Sequence, residues 1–247
     1  MTDIIWLESI DSTNNETKRL LPDIRRNTVI AAKKQTSGRG QRGNVWKSGA
    51  SENLTFSIAL NLGSDDMKEI PANCQFVISE AVALGITDYL SACGITASIK
   101  WPNDIYAGDR KICGILIENS VSANYIKTCI AGIGLNVNQN IFPEDLPNPV
   151  SMAMLTHRVY TLEDELGKLI EYIFLRLADI YSDADKLEKD YLRHLYRKDE
   201  VHKYIDKRSG VKFDGIIRGI NESAQLIIED TEGRSINFYF KEVEYII

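Results

Sequence analysis

The chain has 247 residues, 44% hydrophobic and 26% charged, an ordinary globular composition that excludes a disordered or fibrous protein. Its 29 Lys+Arg against 35 Asp+Glu give a formal charge of −6, the opposite balance to a protein that coats nucleic acid or an anionic membrane. The length allows one large domain, or one large and one small, with a core that needs no disulfide or metal. The opening MTDIIWLESIDSTNN has no basic stretch followed by an apolar one, so no signal peptide is expected. No apolar run reaches the roughly 18 residues needed to span a bilayer. Asp11 to Glu16 leads into a short amphipathic stretch ending at Leu21-Pro22, and Thr13 with Glu16 has capping-box spacing.

VIAAKK (29–34) and NLTFSIALNL (53–62) have strand composition, the second alternating Leu54, Phe56, Ile58 and Leu60 against Thr55, Ser57 and Ala59. Residues 75–94 have helical length and spacing and stop at Cys93-Gly94. ASIKW (97–101), DIYA (104–107) and RKICGILIE (110–118) read as strands, with Ala107-Gly108-Asp109-Arg110 as a hairpin turn. YIKTCIAGIGLNVN (125–138) is a further long strand, and the proline-rich FPEDLPNPVS closes this half. Leu162, Leu166, Leu169, Ile173 and Leu177 mark a helix over 161–181, with Thr161 and Asp164 as a capping-box-like start. The charged stretch 183–208 should continue helical and become a linker. VKFDGIIRGI, SAQLIIED and RSINFYFKEV then suit three strands of a small barrel. The reading is α+β, with a larger domain over 1–198 and a small all-β domain over 199–247.

Cys74, Cys93, Cys113 and Cys129 form no C-x-x-C pair or metal spacing, so each is expected to be a small buried apolar residue in a reduced, cytoplasmic protein. His157, His194 and His202 lie beyond the motif-rich half, and no nucleophile–base arrangement is suggested.

The strongest signal is the stretch from Lys33 to Lys47, which holds five cations and no acid and leaves −11 on the rest of the chain. Gly38, Gly40 and Gly43 let its backbone bring N–H groups close to a ligand. Arg39 and Arg42 can fork onto carboxylate or phosphate, and Trp46 offers a flat face for a planar ring. These parts suit a nucleotide phosphate or an acyl-phosphate; the same composition also fits a solvated surface loop. Lys100 sits in Ile99-Lys100-Trp101-Pro102-Asn103-Asp104, and Lys111 opens a run, 112–117, apolar at both parities, so both its faces should be covered. The hairpin is expected to set the two lysine-bearing strands side by side, with their repulsion relieved by a bound anion. Two surface lysines at strand ends remain the plain alternative. Gly114, and the alternation Ala131-Gly132-Ile133-Gly134-Leu135-Asn136, mark places where a ligand or another backbone could lie against a strand.

Taken in order, Ser12-Thr13-Asn14, Gln35 through Gly43 with Trp46, Lys100-Trp101-Pro102-Asn103-Asp104, Arg110-Lys111 through Leu116, and Gly132 through Asn136 resemble the biotin–protein ligase family. The resemblance implies a mixed sheet with flanking helices, of class II synthetase-like or biotin–lipoate ligase type, plus an SH3-like C-terminal barrel. It implies an ATP- and Mg²⁺-dependent enzyme that makes biotinyl-AMP and passes biotin to a lysine of a biotin carboxyl carrier protein. By position, Ser12, Thr13, Asn14 and Gln35 would contact the ureido head. Arg39, Gly40 and Gln41 would cover the tail and acyl-phosphate, with Gly114 and Gly132 beneath and Lys111 on the carboxylate. Gly38, Arg42, Asn44, Trp46, Asn103 and Asn136 would hold the nucleotide. Arg39, Lys111, Lys100 and Asp104 would carry the chemistry, with no protein-held metal.

Gln41 stands where some members carry arginine, which removes a charge near the intermediate. The turn at Asn221 to Leu226 lacks the glycine often found there. Ser12 comes so early that the N-terminal DNA-binding domain of the family's repressors has no room, so no nucleic-acid or membrane partner is expected. A monomer or a homodimer fits equally. A lipoate or octanoate enzyme of the same fold, or a non-catalytic biotin-binding module, are the rival readings. The loop 36–47 is expected to order around the intermediate.

Overall fold

A computed structural model describes residues 2–63 and 67–247, with every side chain among them except that of Arg42. Strand β1 (Asp3–Leu7), which the sequence does not signal, pairs parallel with β2 (Thr28–Ala32). Between them lies helix α1 (Thr13–Leu20). Its N-cap is Ser12, with no side-chain cap bond, so the expected Thr13–Glu16 capping box does not form. Thr13 is already inside the helix, where its hydroxyl donates to Gln35 Oε1 and accepts from Ser57, while Glu16 pairs with Arg19.

Strand β3 (Leu54–Leu60), helix α2 (Phe76–Ala92) and strands β4 (Ser98–Lys100), β5 (Asp104–Ala107), β6 (Arg110–Ser122) and β7 (Tyr125–Leu135) follow. They complete a seven-stranded sheet in the order β1-β2-β3-β7-β6-β5-β4. The β5–β6 hairpin turns at Gly108, whose φ of +58° is left-handed. One expectation fails here. In this meander β5 lies between β4 and β6, so the lysine-bearing strands are not neighbours. Asp104, opposite Lys100 on one side and Gly114 on the other, separates them.

Strand alternation sets the two faces of the sheet. Leu54, Phe56, Ile58, Cys129, Ala131 and Leu135 join Ile78 and Leu84 of α2, and Leu166 and Ile173 of α4 (Leu162–Ser182), in one core. Ser57, Gly132 and Gly134 face the other way, toward α1 and the loop that follows β2. β6 divides likewise: Cys113 and Ile115 enter the core, whereas Gly114 and Leu116 line an open cavity, so only one face is covered as expected. α2 and α4 touch at Gly85, where a Cβ would lie 2.5 Å from the Cα of Ile173. Arg176 of α4 bonds Asp88 of α2 at 2.6 Å and Asp190 of α5 (Ala184–Arg193) at 2.9 Å. A short helix α3 (Met152–Thr156) precedes α4, and Thr161, the N-cap of α4, makes no side-chain cap bond.

The C-terminal strands β8 (Val201–Asp206), β9 (Val211–Ile220), β10 (Leu226–Asp230), β11 (Ser235–Phe238) and β12 (Val243–Tyr245) form a second, antiparallel, barrel-like sheet ordered β11-β10-β9-β8-β12. The sequence shows three of the five. β8 reads as linker because Tyr204 is its only fully buried residue, and β12 is three residues long. At the turn without a glycine, Ala224 itself takes the left-handed conformation (φ +59°). Its carbonyl accepts from Trp101 Nε1 at 3.2 Å, and Phe240 packs edge-on against the Trp101 ring at 5.1 Å. The second sheet is thereby docked on the turn between Lys100 and Asp104. Cys113 and Cys129 are buried as expected and Cys93 is half-buried, but Cys74, in the turn before α2, is exposed.

Candidate active site

A cavity of about 140 Å³ opens between α1, the loop 35–46 and the α1-facing side of the sheet. Three glycines make its floor. Gly114 lies opposite Gly134, and Gly132 opposite Leu116 and Ser57. A Cβ at 132 would sit 2.0 Å from Asn14 Oδ1, and one at 134 would sit 2.3 Å from Trp46 Cε2. The alternating glycines therefore make room for the Asn14 amide and the Trp46 indole, whose Nε1 is buried without a hydrogen-bond partner.

One end of the cavity is polar and buried. Ser12, Thr13 and Asn14 are at most 4% exposed and sit beside Gln35. Thr13 N donates to Gln35 Oε1 at 2.8 Å, Ser57 Oγ donates to Asn14 Oδ1 at 2.6 Å, and Asn14 Nδ2 donates to Glu118 Oε2 at 2.8 Å. Arg39 closes this end by forking onto Glu118 at 2.8 and 3.0 Å and reaching Asn15 Oδ1 at 2.9 Å. Burial pushes the Glu118 carboxyl up, but the bonds from Arg39 and Asn14 outweigh it and hold the group below its ordinary range. Glu118 was missed in the sequence. Its parity with Gly114 and Leu116 was the available signal. Ser57, a hydroxyl inside a fully buried strand, was another.

Gly40, Gln41, Asn44 and Asn103 also line the cavity. Asn103 Nδ2 is committed to Ile115 O at 2.9 Å, and Ile115 N returns the bond to Asn103 O. Gly38 does not line it. Gly38 sits where the loop crosses itself, with a Cβ position 2.4 Å from Trp46 O. The Arg42 side chain lies outside the described residues.

A second cavity of about 310 Å³ adjoins the first, and Val45, Trp46, Asp104 and Lys111 line both. Lys100, Tyr106 and Asn136 belong to this second space, with Phe142, Leu146 and Pro147 of the proline-rich loop forming an apolar wall. Lys111 Nζ lies 2.6 Å from Asp104 Oδ1 and 5.7 Å from the Trp46 ring centre. Lys100 Nζ bonds Tyr106 Oη at 3.3 Å, and burial pushes its pKa below the ordinary lysine value; Asp104 opposes that shift, while Lys111 and Arg197 add to it. Asn136 Nδ2 is held by Val150 O at 3.0 Å.

The junction thus offers two lysines around one carboxylate, between a polar-ended pocket and an apolar-walled one. Such an arrangement can neutralise phosphate and align a carboxylate against it. Covalent catalysis by a thiol has no group here. Cys113 is wholly buried in the core, and burial pushes its thiol far above the usual range. His194 bonds Asp190 O and His202 pairs with Glu200, and none of the three histidines lines either cavity.

Residues 6–138 match the model of the Biotin/lipoate A/B protein ligase family. The chain belongs to this family. It is 30% identical over 211 residues to the bifunctional ligase/repressor of Bacillus subtilis, covering 83% of this chain and 62% of that one. The chain therefore spans less than two thirds of that relative's length. It is 30% identical over 241 residues to the biotin–[acetyl-CoA-carboxylase] ligase of Paracoccus denitrificans, covering 93% of this chain and 95% of that one. A mutant biotin protein ligase from Aquifex aeolicus, solved in complex with biotin, superposes with a TM-score of 0.77 at 25% identity, over 98% of this chain and 97% of that one. The matched residues 6–138 contain the whole floor and polar end of the first cavity; Asn136 is the last site residue inside the match.

Proposed function

We propose that the chain is an ATP-dependent biotin–protein ligase, which joins biotin to ATP with loss of pyrophosphate and then passes the biotinyl group to a lysine of a biotin carboxyl carrier protein. The observation that carries this reading is the pair of cavities meeting at Lys111 and Asp104. The polar end of the first suits biotin. A ureido ring has donors and acceptors to match Ser12, Thr13, Asn14 and Gln35, whereas the dithiolane of lipoate or an octanoyl chain would leave those groups facing apolar surface. Biotin's valeryl chain would run along the glycine floor toward Lys111. The second cavity would take ATP, with its purine on the apolar wall and its phosphates toward Lys100 and Lys111.

In the first step a carboxylate oxygen of biotin attacks the α-phosphorus and the bond to the pyrophosphate oxygen breaks. Lys111 holds the carboxylate in line, and the two lysines offset the charge that gathers on the phosphates. In the second step the carrier's lysine amine attacks the acyl carbon, AMP leaves with the bridging oxygen, and the amine loses a proton. Arg39 and the loop cover the adenylate against water. Mg²⁺ would enter as the complex with ATP, as part of the substrate. Among the described residues no group of three or more His, Cys, Asp or Glu gathers to hold a metal, and an ion carried on phosphates needs none. We place this machinery in residues 1–198 and assign 199–247 to the smaller domain. Among the described residues, no helix is long and apolar enough to cross a membrane.

The test is incubation with biotin, ATP and a carrier domain, read by avidin blot. Carrier labelling that needs both small molecules is expected. Binding of biotin without labelling would reduce the protein to a sensor, and pyrophosphate exchange driven by lipoate alone would end the biotin reading.

A further inference from the structure

Lys100 is held by aromatic rings instead of a carboxylate, and one of those rings belongs to the second sheet. Its Nζ lies 4.9 Å from the ring centre of Tyr106 and 4.7 Å from that of Tyr245, the last residue of β12. Asp104, the carboxylate beside it, is ion-paired with Lys111. The other charged or titratable groups that act on Lys100 are Lys111, Arg197 and Glu244. The Tyr245 ring is fixed from behind by Tyr204, edge-on at 5.4 Å, and Tyr196 at 6.1 Å. Its neighbour Ile246 is tied at both ends: its carbonyl accepts from Arg197 at 2.9 Å and its amide donates to Lys203 O. A ring face stabilises an ammonium without neutralising it. The cage therefore keeps the charge of Lys100 available to an anion entering the second cavity, where a carboxylate partner would have to be displaced first.

We propose that Tyr245 is a positioning residue of the ligase reaction: the C-terminal sheet supplies one wall of a two-tyrosine cage that aims Lys100 at the nucleotide's phosphates. The proposal rests on the ligase reading above. It makes the docking of the second sheet part of nucleotide handling, and it leaves the biotin end, walled by other residues, untouched.

The test uses the full chain and biotin-dependent ATP–pyrophosphate exchange, which needs no carrier. Tyr245→Leu keeps an apolar wall and removes the ring face. It should raise the KM for ATP roughly tenfold, leave biotin binding within error, and move the alkaline limb of kcat/KM for ATP to lower pH, because the ammonium loses its stabilising face. Tyr245→Phe should recover both KM and the limb. A perfluorinated phenylalanine at 245 keeps the ring's shape while reversing the charge on its face, and it should behave like leucine. If leucine does not fold, the fluorinated ring against Tyr245→Phe decides alone. An unchanged KM and limb in the leucine or fluorinated protein would overturn the proposal. So would a loss that strikes biotin and ATP alike with no movement of the limb, the mark of a purely structural residue. A wild-type protein without any biotin-dependent exchange would instead bring down the ligase reading, and this proposal with it.

Discussion

Gly132→Ala puts one methyl group where the site is most tightly built. The new Cβ would lie 2.0 Å from Asn14 Oδ1 and 2.8 Å from Asn14 Cγ, so the Asn14 side chain has to leave. The backbone at 132 is not left-handed, so the clash is the whole perturbation. Asn14 is 4% exposed, and moving it breaks the bond from Ser57 at 2.6 Å and the bond to Glu118 at 2.8 Å. The first is a neutral hydrogen bond worth about 1 kcal/mol, and the second ends on a carboxylate and is worth about 1.5–3 kcal/mol. Ser57 keeps Thr13 as an acceptor at 2.8 Å, so no orphaned hydroxyl adds to the cost. The expected loss is about 2–4 kcal/mol, or roughly 5–15 °C in melting temperature for a chain of this size. Biotin affinity, measured by calorimetry, should fall by about tenfold or more, since the displaced amide lines the cavity end proposed for the ureido ring. Asn14→Ala made in the Gly132→Ala background should add little, because the two changes remove the same contacts. A melt within about a degree of wild type with unchanged biotin affinity would refute the claim that Gly132 exists to seat Asn14.

Other expectations follow from the same geometry. Lys111→Ala should cut biotin-dependent pyrophosphate exchange by about 10²–10³-fold, the usual cost of removing one preorganised charge from a developing anion; an intact rate would sink the role given to that lysine. Gln41→Arg adds a cation to the cavity wall and should slow escape of the adenylate into solution by roughly threefold, read as less labelling of bystander proteins with carrier labelling kept. Glu80 of α2 is pushed up to about 7, first by burial and then by the neighbouring Glu188. An acid raised in the folded state contributes full stability below its unfolded pKa and loses it as pH rises. The loss should accumulate between the ordinary glutamate value and about 7, reaching about 3 kcal/mol. Urea melts from pH 5 to 8 should show that slope, and Glu80→Gln should flatten it.

The parts of this protein that were legible in the sequence are those in which chemistry and chain order coincide. The strand alternation of 54–60 named both faces of β3 because each face meets one environment only. The glycine pattern at 132 and 134 announced a close approach correctly, but not what approaches: an amide and an indole from Asn14 and Trp46, distant in sequence. Local reasoning failed where a side chain's role was set by a distant partner. Thr13 has capping spacing, yet Gln35 and Ser57 compete for its hydroxyl and win. A hairpin joins the neighbourhoods of Lys100 and Lys111 and suggests adjacent strands, but the meander inserts β5, and Asp104 then becomes the counter-ion of only one of them. That asymmetry gives the two lysines different physical characters. Lys111 carries a carboxylate that an incoming anion must compete with, whereas Lys100 is desolvated and faced by rings, one of them from a strand too short to be read. No local pattern could have linked residue 245 to residue 100. The two rings meet at Lys100 because the second sheet is docked on the first, through Trp101 with Ala224 and Phe240 and through Arg197 with Ile246, and the proposed role of Tyr245 rests on that packing.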